Sequence, residues 1–130
     1  QRATGGAYLV EPVFDEADFA IIRGTPKCYT HVSEGSGKDV HIHFCDNCGT
    51  KLYLTFARFQ GAVGLYGGTL DDPNWLEITP ENAKHIFLGV ALKGTVIPPH
   101  FNTFEKHATE NDGSAIAAKV FDKPHIIGAT

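Results

Sequence analysis

Residues 40–56 read VHIHFCDNCGTKLYLTF, and this stretch decides the fold. Val40, Ile42 and Phe44 alternate with His41 and His43, the two-residue period of a half-buried strand. Lys51–Phe56 alternates in the same way, with Leu52, Leu54 and Phe56 in phase. Between the two strands lies Cys45-Asp-Asn-Cys48-Gly49, too short for anything but a hairpin turn. Two thiolates spaced C-x-x-C at a hairpin tip can grip one Zn²⁺, because the turn aims backbone amides at the sulfurs. Gly49 is placed to supply the positive φ needed just after the second ligand. A redox C-x-x-C is the main rival; it normally opens a helix in a βαβ setting, and no amphipathic helix pattern follows here. A pair of plain thiols is the third reading.

Structural zinc takes four ligands, so Cys45 and Cys48 are half of a site. Cys28-Tyr-Thr-His31 offers another Cys and His, but residues i and i+3 on a strand point to opposite faces. They converge only across a bulge, and a small buried strand side chain is the blander account of Cys28. His41 and His43 share a face near the turn; either can donate a ring nitrogen, and a solvated strand face explains them equally well. His85, His100, His107 and His125 carry no ligand spacing. Within these residues the zinc site is incomplete.

Working outward, Glu34-Gly-Ser-Gly-Lys38 is a plain turn. Asp18–Arg23 and Lys27–Val32, joined by RGTPK, are expected to pair as a second hairpin. Ala7–Phe14 has extended character, which Pro12 confines to an edge or a break. Gly61–Tyr66 is a glycine-interrupted strand followed by the loop Gly67–Pro73. Pro80–Lys84 is expected to make one helical turn, N-capped by Thr79, and His85–Leu92 a central strand. Asn102–His107 and Ala115–Val120 are the remaining candidates for short helices. The expected architecture is mainly β, short antiparallel strands with one or two short helices.

Composition sets the outer bounds. A chain of 130 residues, 42% hydrophobic and 20% charged, is one domain's worth of globular protein, and folding would bury roughly two-thirds of its surface. Fourteen glycines and seven prolines favour turns, hence β structure. A net charge of −4 speaks against nucleic acid or an anionic membrane as partner. No apolar run approaches a membrane span. Three cysteines are too few, and odd in number, for a secreted disulfide framework, which points to a reducing, cytoplasmic setting. The chain has no methionine and starts at Gln1, which implies a processed or truncated start. Asp71-Asp72 before Pro73 reads as turn, Gly64, Gly67 and Gly68 fit no phosphate loop, and Trp75 and Phe101 read as packing.

The run HFCDNCGTKLYL, the preceding SEGSGKDV turn, and the later GTLDDP and KHIFLG resemble the glutathione-dependent formaldehyde-activating enzyme family, whose domain also occurs in centromere protein V. The resemblance covers the chain to about Leu92 and fades after Pro98. It implies a β-tent zinc fold, with residues 1–130 one such domain lacking its N-terminal part. Family motifs run C-x-C, C-x-C-x-x-C and a distal F-C-x-x-C-G; Cys45 and Cys48 match the distal pair, which shares a structural zinc with the first. The cysteines of the catalytic zinc would lie upstream of Gln1, or the lineage has lost its zinc chemistry and kept the scaffold. The implied activity is a carbon–sulfur lyase handling a thiol adduct such as S-hydroxymethylglutathione. Arg2, Arg23, Lys51 and Arg58 are the cations available to such an anionic peptide. Against it stand a zinc-stabilised scaffold or interaction domain without catalysis, and a metal-free redox couple.

Overall fold

The computed structural model describes all of residues 1–130, which divide into two compact units, Gln1–Pro73 and Asn74–Thr130. The first unit is a five-stranded antiparallel sheet. Its strands are β1 (Val13–Asp15), β2 (Lys27–Val32), β3 (Asp39–Phe44), β4 (Lys51–Phe56) and β5 (Ala62–Leu65), in the spatial order β1-β5-β4-β3-β2. The hairpin anticipated from residues 40–56 is its centre: β3 pairs with β4 from Val40↔Phe56 to Phe44↔Lys51, with a register shift between His43 and Phe44.

Alternation puts one side of that hairpin inside. Ile42, Leu54 and Tyr66 are buried together, with Ala3, Leu9, Val40 and Phe56 packed around them. The other side carries Cys28, His43 and Tyr53 in one cross-strand row and Thr30, His41 and Thr55 in the next. Tyr53 and Val63 are buried on it, Val63 to 1% exposure. Both faces of the central strands are therefore covered, which accounts for the apolar character of β4.

The expected hairpin of Asp18–Arg23 with Lys27–Val32 does not form. Glu16–Asp18 closes as a 3-10 turn, with Phe19 N donating to Glu16 O at 3.1 Å, and no strand follows until β2. That turn sets Phe19 against Tyr53, ring centroids 4.7 Å apart, and leaves Ile22 97% exposed. β2 instead gives all six residues to β3. Pro12 acts as anticipated: only Val13–Asp15 joins the sheet, as an edge on β5.

The second unit is built from four two-residue strands. β6 (Lys84–His85) lies parallel to β8 (Asn102–Thr103), and β7 (Val96–Ile97) antiparallel to β9 (His125–Ile126). Leu88, Ile97, Phe101 and Thr103 are its buried residues. His85–Leu92 is not a central strand. Phe87 takes a left-handed conformation (φ 62°), Leu88–Val90 is a 3-10 turn, and Val90 is 69% exposed. The backbone there bonds sideways, Phe87 N to Lys106 O and Leu88 N to Phe104 O.

Asn102–His107 and Ala115–Val120 are not helices either. Thr103 and Lys119 exchange both backbone hydrogen bonds as an antiparallel bridge, and Ile116 N donates to Ala108 O. Pro80–Asn82 is a single turn with Ala83 N on Thr79 O, but the Thr79 hydroxyl does not cap it; the Asn82 side chain accepts from Thr79 N at 2.8 Å. The helical content is three 3-10 turns of three residues, at Glu16–Asp18, Gly67–Thr69 and Leu88–Val90. No helix is long and apolar enough to cross a membrane.

Candidate functional site

The turn between β3 and β4 is closed by Cys45 N donating to Thr50 O at 2.8 Å, and tightened by Gly49 N on Cys45 O at 2.9 Å. Gly49 has φ +74°, as the sequence pattern requires; a side chain at this position would be strained. Both cysteines are free thiols, Cys45 half-buried and Cys48 exposed. Cys48 Sγ lies 3.1 Å from the Thr50 hydroxyl. That hydroxyl, with the Thr50 backbone and the Cys45 thiol, pulls the Cys48 thiol below its ordinary range. The turn thus brings two sulfurs together and favours thiolate on one of them, which is the chemistry a thiophilic cation asks of its ligands. Cys45 and Cys48 fit two positions of a tetrahedral zinc site. No three His, Cys, Asp or Glu side chains come together anywhere in the chain as a group able to hold a metal.

The other ligand candidates lie elsewhere. Cys28 is exposed, not buried as its size suggested, and stands opposite His43 in the β2–β3 register, while His31 pairs with Val40 on the other face. No bulge breaks β2, so Cys28 and His31 do not converge. His41 Nδ1 is 2.9 Å from the Thr30 hydroxyl. His43 Nε2 is 3.0 Å from the Thr55 hydroxyl, and its ring stacks on Tyr53 at 4.2 Å. Burial, with the charge of His41 second, holds the His43 imidazole below its ordinary pKa. The two histidines are parts of a cross-strand polar row.

Beside the thiol turn is an open hollow of about 520 Å³. Its walls are Tyr8, Leu9 and Val10 on one side, Gly49, Thr50 and Lys51 on another, and the Tyr66–Thr69 corner on a third. Of the four cations suggested for an anionic ligand, Lys51 alone lines it. Arg2 pairs with Glu34 at 2.8 Å, and Arg58 lies over the Phe59 ring at 5.0 Å. Asp71 and Asp72 are exposed in a bend, Trp75 is exposed, and Phe101 packs edge-on to His85.

Two residues of this region carry no recognisable motif. Glu11 packs its carboxyl onto Gly64, and burial raises its pKa to about 7. The Tyr66 hydroxyl is buried without a hydrogen-bond partner. The one signal in the sequence is a carboxylate set among apolar residues, between Val10 and Pro12.

The chain is thus a mainly β protein, an antiparallel sheet whose central hairpin carries a paired-thiol turn with a mostly apolar hollow at its foot. The family model for glutathione-dependent formaldehyde-activating enzyme matches residues 1–89, well over half of the chain, and the chain belongs to that family. The match ends close to the Leu92 limit expected from the motifs. Membership connects the chain with glutathione-linked activation of an aldehyde. No curated protein and no solved structure matches it.

Proposed function

We propose that this chain is a zinc-dependent protein of the carbon–sulfur lyase type, acting in the cytoplasm on a glutathione–aldehyde adduct such as S-hydroxymethylglutathione. Residues 1–130 form one domain of the family in this reading. The observation that carries it is the family match over residues 1–89 centred on a turn that pairs Cys45 with Cys48. Those two thiolates hold half of a structural zinc. When bound, zinc supplies a positive centre that keeps thiolates deprotonated near neutral pH. The hollow takes the peptide portion of the adduct. There the Lys51 ammonium meets a carboxylate, and the hydroxyl oxygens of Thr50 and Thr69, whose protons go to the Cys48 sulfur and to Tyr66 O, accept from amide N–H groups.

Two measurements on the full chain test this reading. Metal analysis is expected to find zinc in the wild type and to lose it in Cys45→Ser and Cys48→Ser. Structural zinc is worth roughly 10 kcal/mol in small modules, so both variants should also melt far below the wild type. Exchange NMR on formaldehyde mixed with glutathione is expected to show faster adduct interconversion with protein than without. Zinc without acceleration would leave a zinc-stabilised scaffold that does no chemistry. A protein that takes up no zinc and melts unchanged in Cys45→Ser would overturn the metal reading.

A further inference from the structure

Beyond β1 towards the N-terminus, Tyr8–Pro12 runs as a strap along β5 and the corner after it. Leu65 N donates to Pro12 O at 2.8 Å, and Gly67 N to Val10 O at 2.9 Å. Leu9 packs on the Ile42–Leu54–Tyr66 cluster, and Tyr8, Leu9 and Val10 are also a wall of the hollow. Whatever loosens the strap therefore opens the hollow.

Glu11 sits in the middle of the strap with its carboxyl in the space that a side chain on Gly64 would fill. A Cβ at Gly64 would come within 2.8 Å of Glu11 Cδ. From the same strand edge the Tyr66 phenol faces this region, and the charge of Glu11 is felt there, adding to the effect of burial in pushing the phenol up. The Tyr66 oxygen has no hydrogen-bond partner, so nothing nearby is set to solvate an anion. Burial is the cause of the shift at Glu11 to about 7, with no cation to offset it. An ionised carboxylate in such a place is costly, and a neutral acid is not.

We propose that Glu11 is a proton-operated latch: protonated, it lets the Tyr8–Pro12 strap close on β5, and on losing its proton to solvent it drives the strap off and opens a wall of the hollow. The motion of the strap stands on this geometry alone. Its consequence for a ligand rests on the reading of the hollow as the glutathione site.

The linkage has a definite window. In the open strap Glu11 titrates near its ordinary 4.5, and closed near 7. Opening therefore becomes easier as pH rises from about 4.5 to about 7 and changes little above that. Hydrogen exchange of the full chain, without glutathione, reads this directly at two amides bonded to the strap, Leu65 and Gly67. After correction for intrinsic base catalysis, their protection is expected to fall roughly tenfold or more between pH 5 and pH 7. The amide of Ala57, bonded to Asp39 and remote from the thiol turn, is the reference for unfolding of the whole sheet and should stay more protected than the strap amides at every pH.

Glu11→Gln keeps the shape without the charge and should hold its strap protection at all these pH values. Should that variant fail to fold, the ¹³C shift of the wild-type Glu11 carboxyl replaces it, with a midpoint near 7 expected to track the amides. A flat wild-type profile, a Glu11→Gln profile that follows the wild type, strap amides no less protected than Ala57, or a Glu11 midpoint near 4.5 would each overturn the latch. S-methylglutathione, whose sulfur does not titrate, is the binding probe. Its affinity should weaken over the same window in the wild type and not in Glu11→Gln. A strap that responds in a chain that binds no S-methylglutathione would sustain the latch and remove the hollow as its ligand site.

Discussion

Three glycines within five positions separate space from strain. Gly68 has nothing within 4 Å of where a Cβ would stand, so Gly68→Ala should change stability by no more than about 0.5 kcal/mol. At Gly67 the same methyl would meet Val10 O at 2.7 Å, a backbone atom that cannot swing aside. Gly67→Ala must push the strap away and should cost about 1–3 kcal/mol, read from the urea midpoints of the two variants. At Gly64 the obstacle is the Glu11 carboxyl, a side-chain end that can leave. Gly64→Ala should evict it into water and bring the Glu11 midpoint, followed by carboxyl NMR, down towards 4.5. The same residue sets a pH slope on the whole fold. The unfolded chain releases this proton near 4.5 and the folded chain near 7. Stability should therefore fall by roughly 3 kcal/mol from pH 4.5 to 7 and then level, a slope absent in Glu11→Gln.

At the scale of elements, the hairpin of β3 and β4 was legible because two local rules agreed: strict alternation on both arms, and a turn whose glycine has the φ it needs. Its core face follows from the same alternation. Leu54→Ala should cost about 2–5 kcal/mol, whereas Tyr29→Ala, on the exposed edge strand, should cost about 0.5 kcal/mol or less. Chemical unfolding of the two variants checks the contrast. Elsewhere apolarity alone misled. DFAIIR looked like half of a hairpin, yet β2 had a longer partner in β3, and the Glu16–Asp18 turn left Ile21 and Ile22 at the surface. HIFLGVAL looked like a central strand, but left-handed Phe87 ends the extended run after two paired residues. The thiol pair was legible from spacing. Glu11 and Tyr66 were not, since what matters about them is burial against residues fifty or more positions away in the chain.

For the molecule as a whole, the question is which part of the chain folds on its own. Gln1–Pro73 holds all five sheet strands, the Ile42–Leu54–Tyr66 core, the thiol turn and the hollow. Every ladder of that sheet is closed within it, and its longest pairings, β2 with β3 and β3 with β4, join neighbours in sequence. Asn74–Thr130 instead rests on two-residue strand pairs, with β6 and β8 parallel and far apart in sequence, the kind of pairing least able to hold alone. The family match nonetheless runs past Pro73 to residue 89, taking in β6 but not its partner β8. A fragment of residues 1–73 is near the size at which a single core is marginal, burying only some 60–65% of its surface. It is expected to fold, with modest stability, because nothing in its sheet is left unpaired by the cut. The ¹H–¹⁵N spectra of 1–73, 1–89 and the full chain decide it. Superposition of the Ile42, Leu54 and Val63 amides in all three would make the sheet the folding unit. Collapse of dispersion in 1–73 with recovery in 1–89 would instead make the matched segment the unit of folding as well as of family resemblance. Every test of the thiol turn, the hollow and the Glu11 latch would then have to keep Asn74–Gly89.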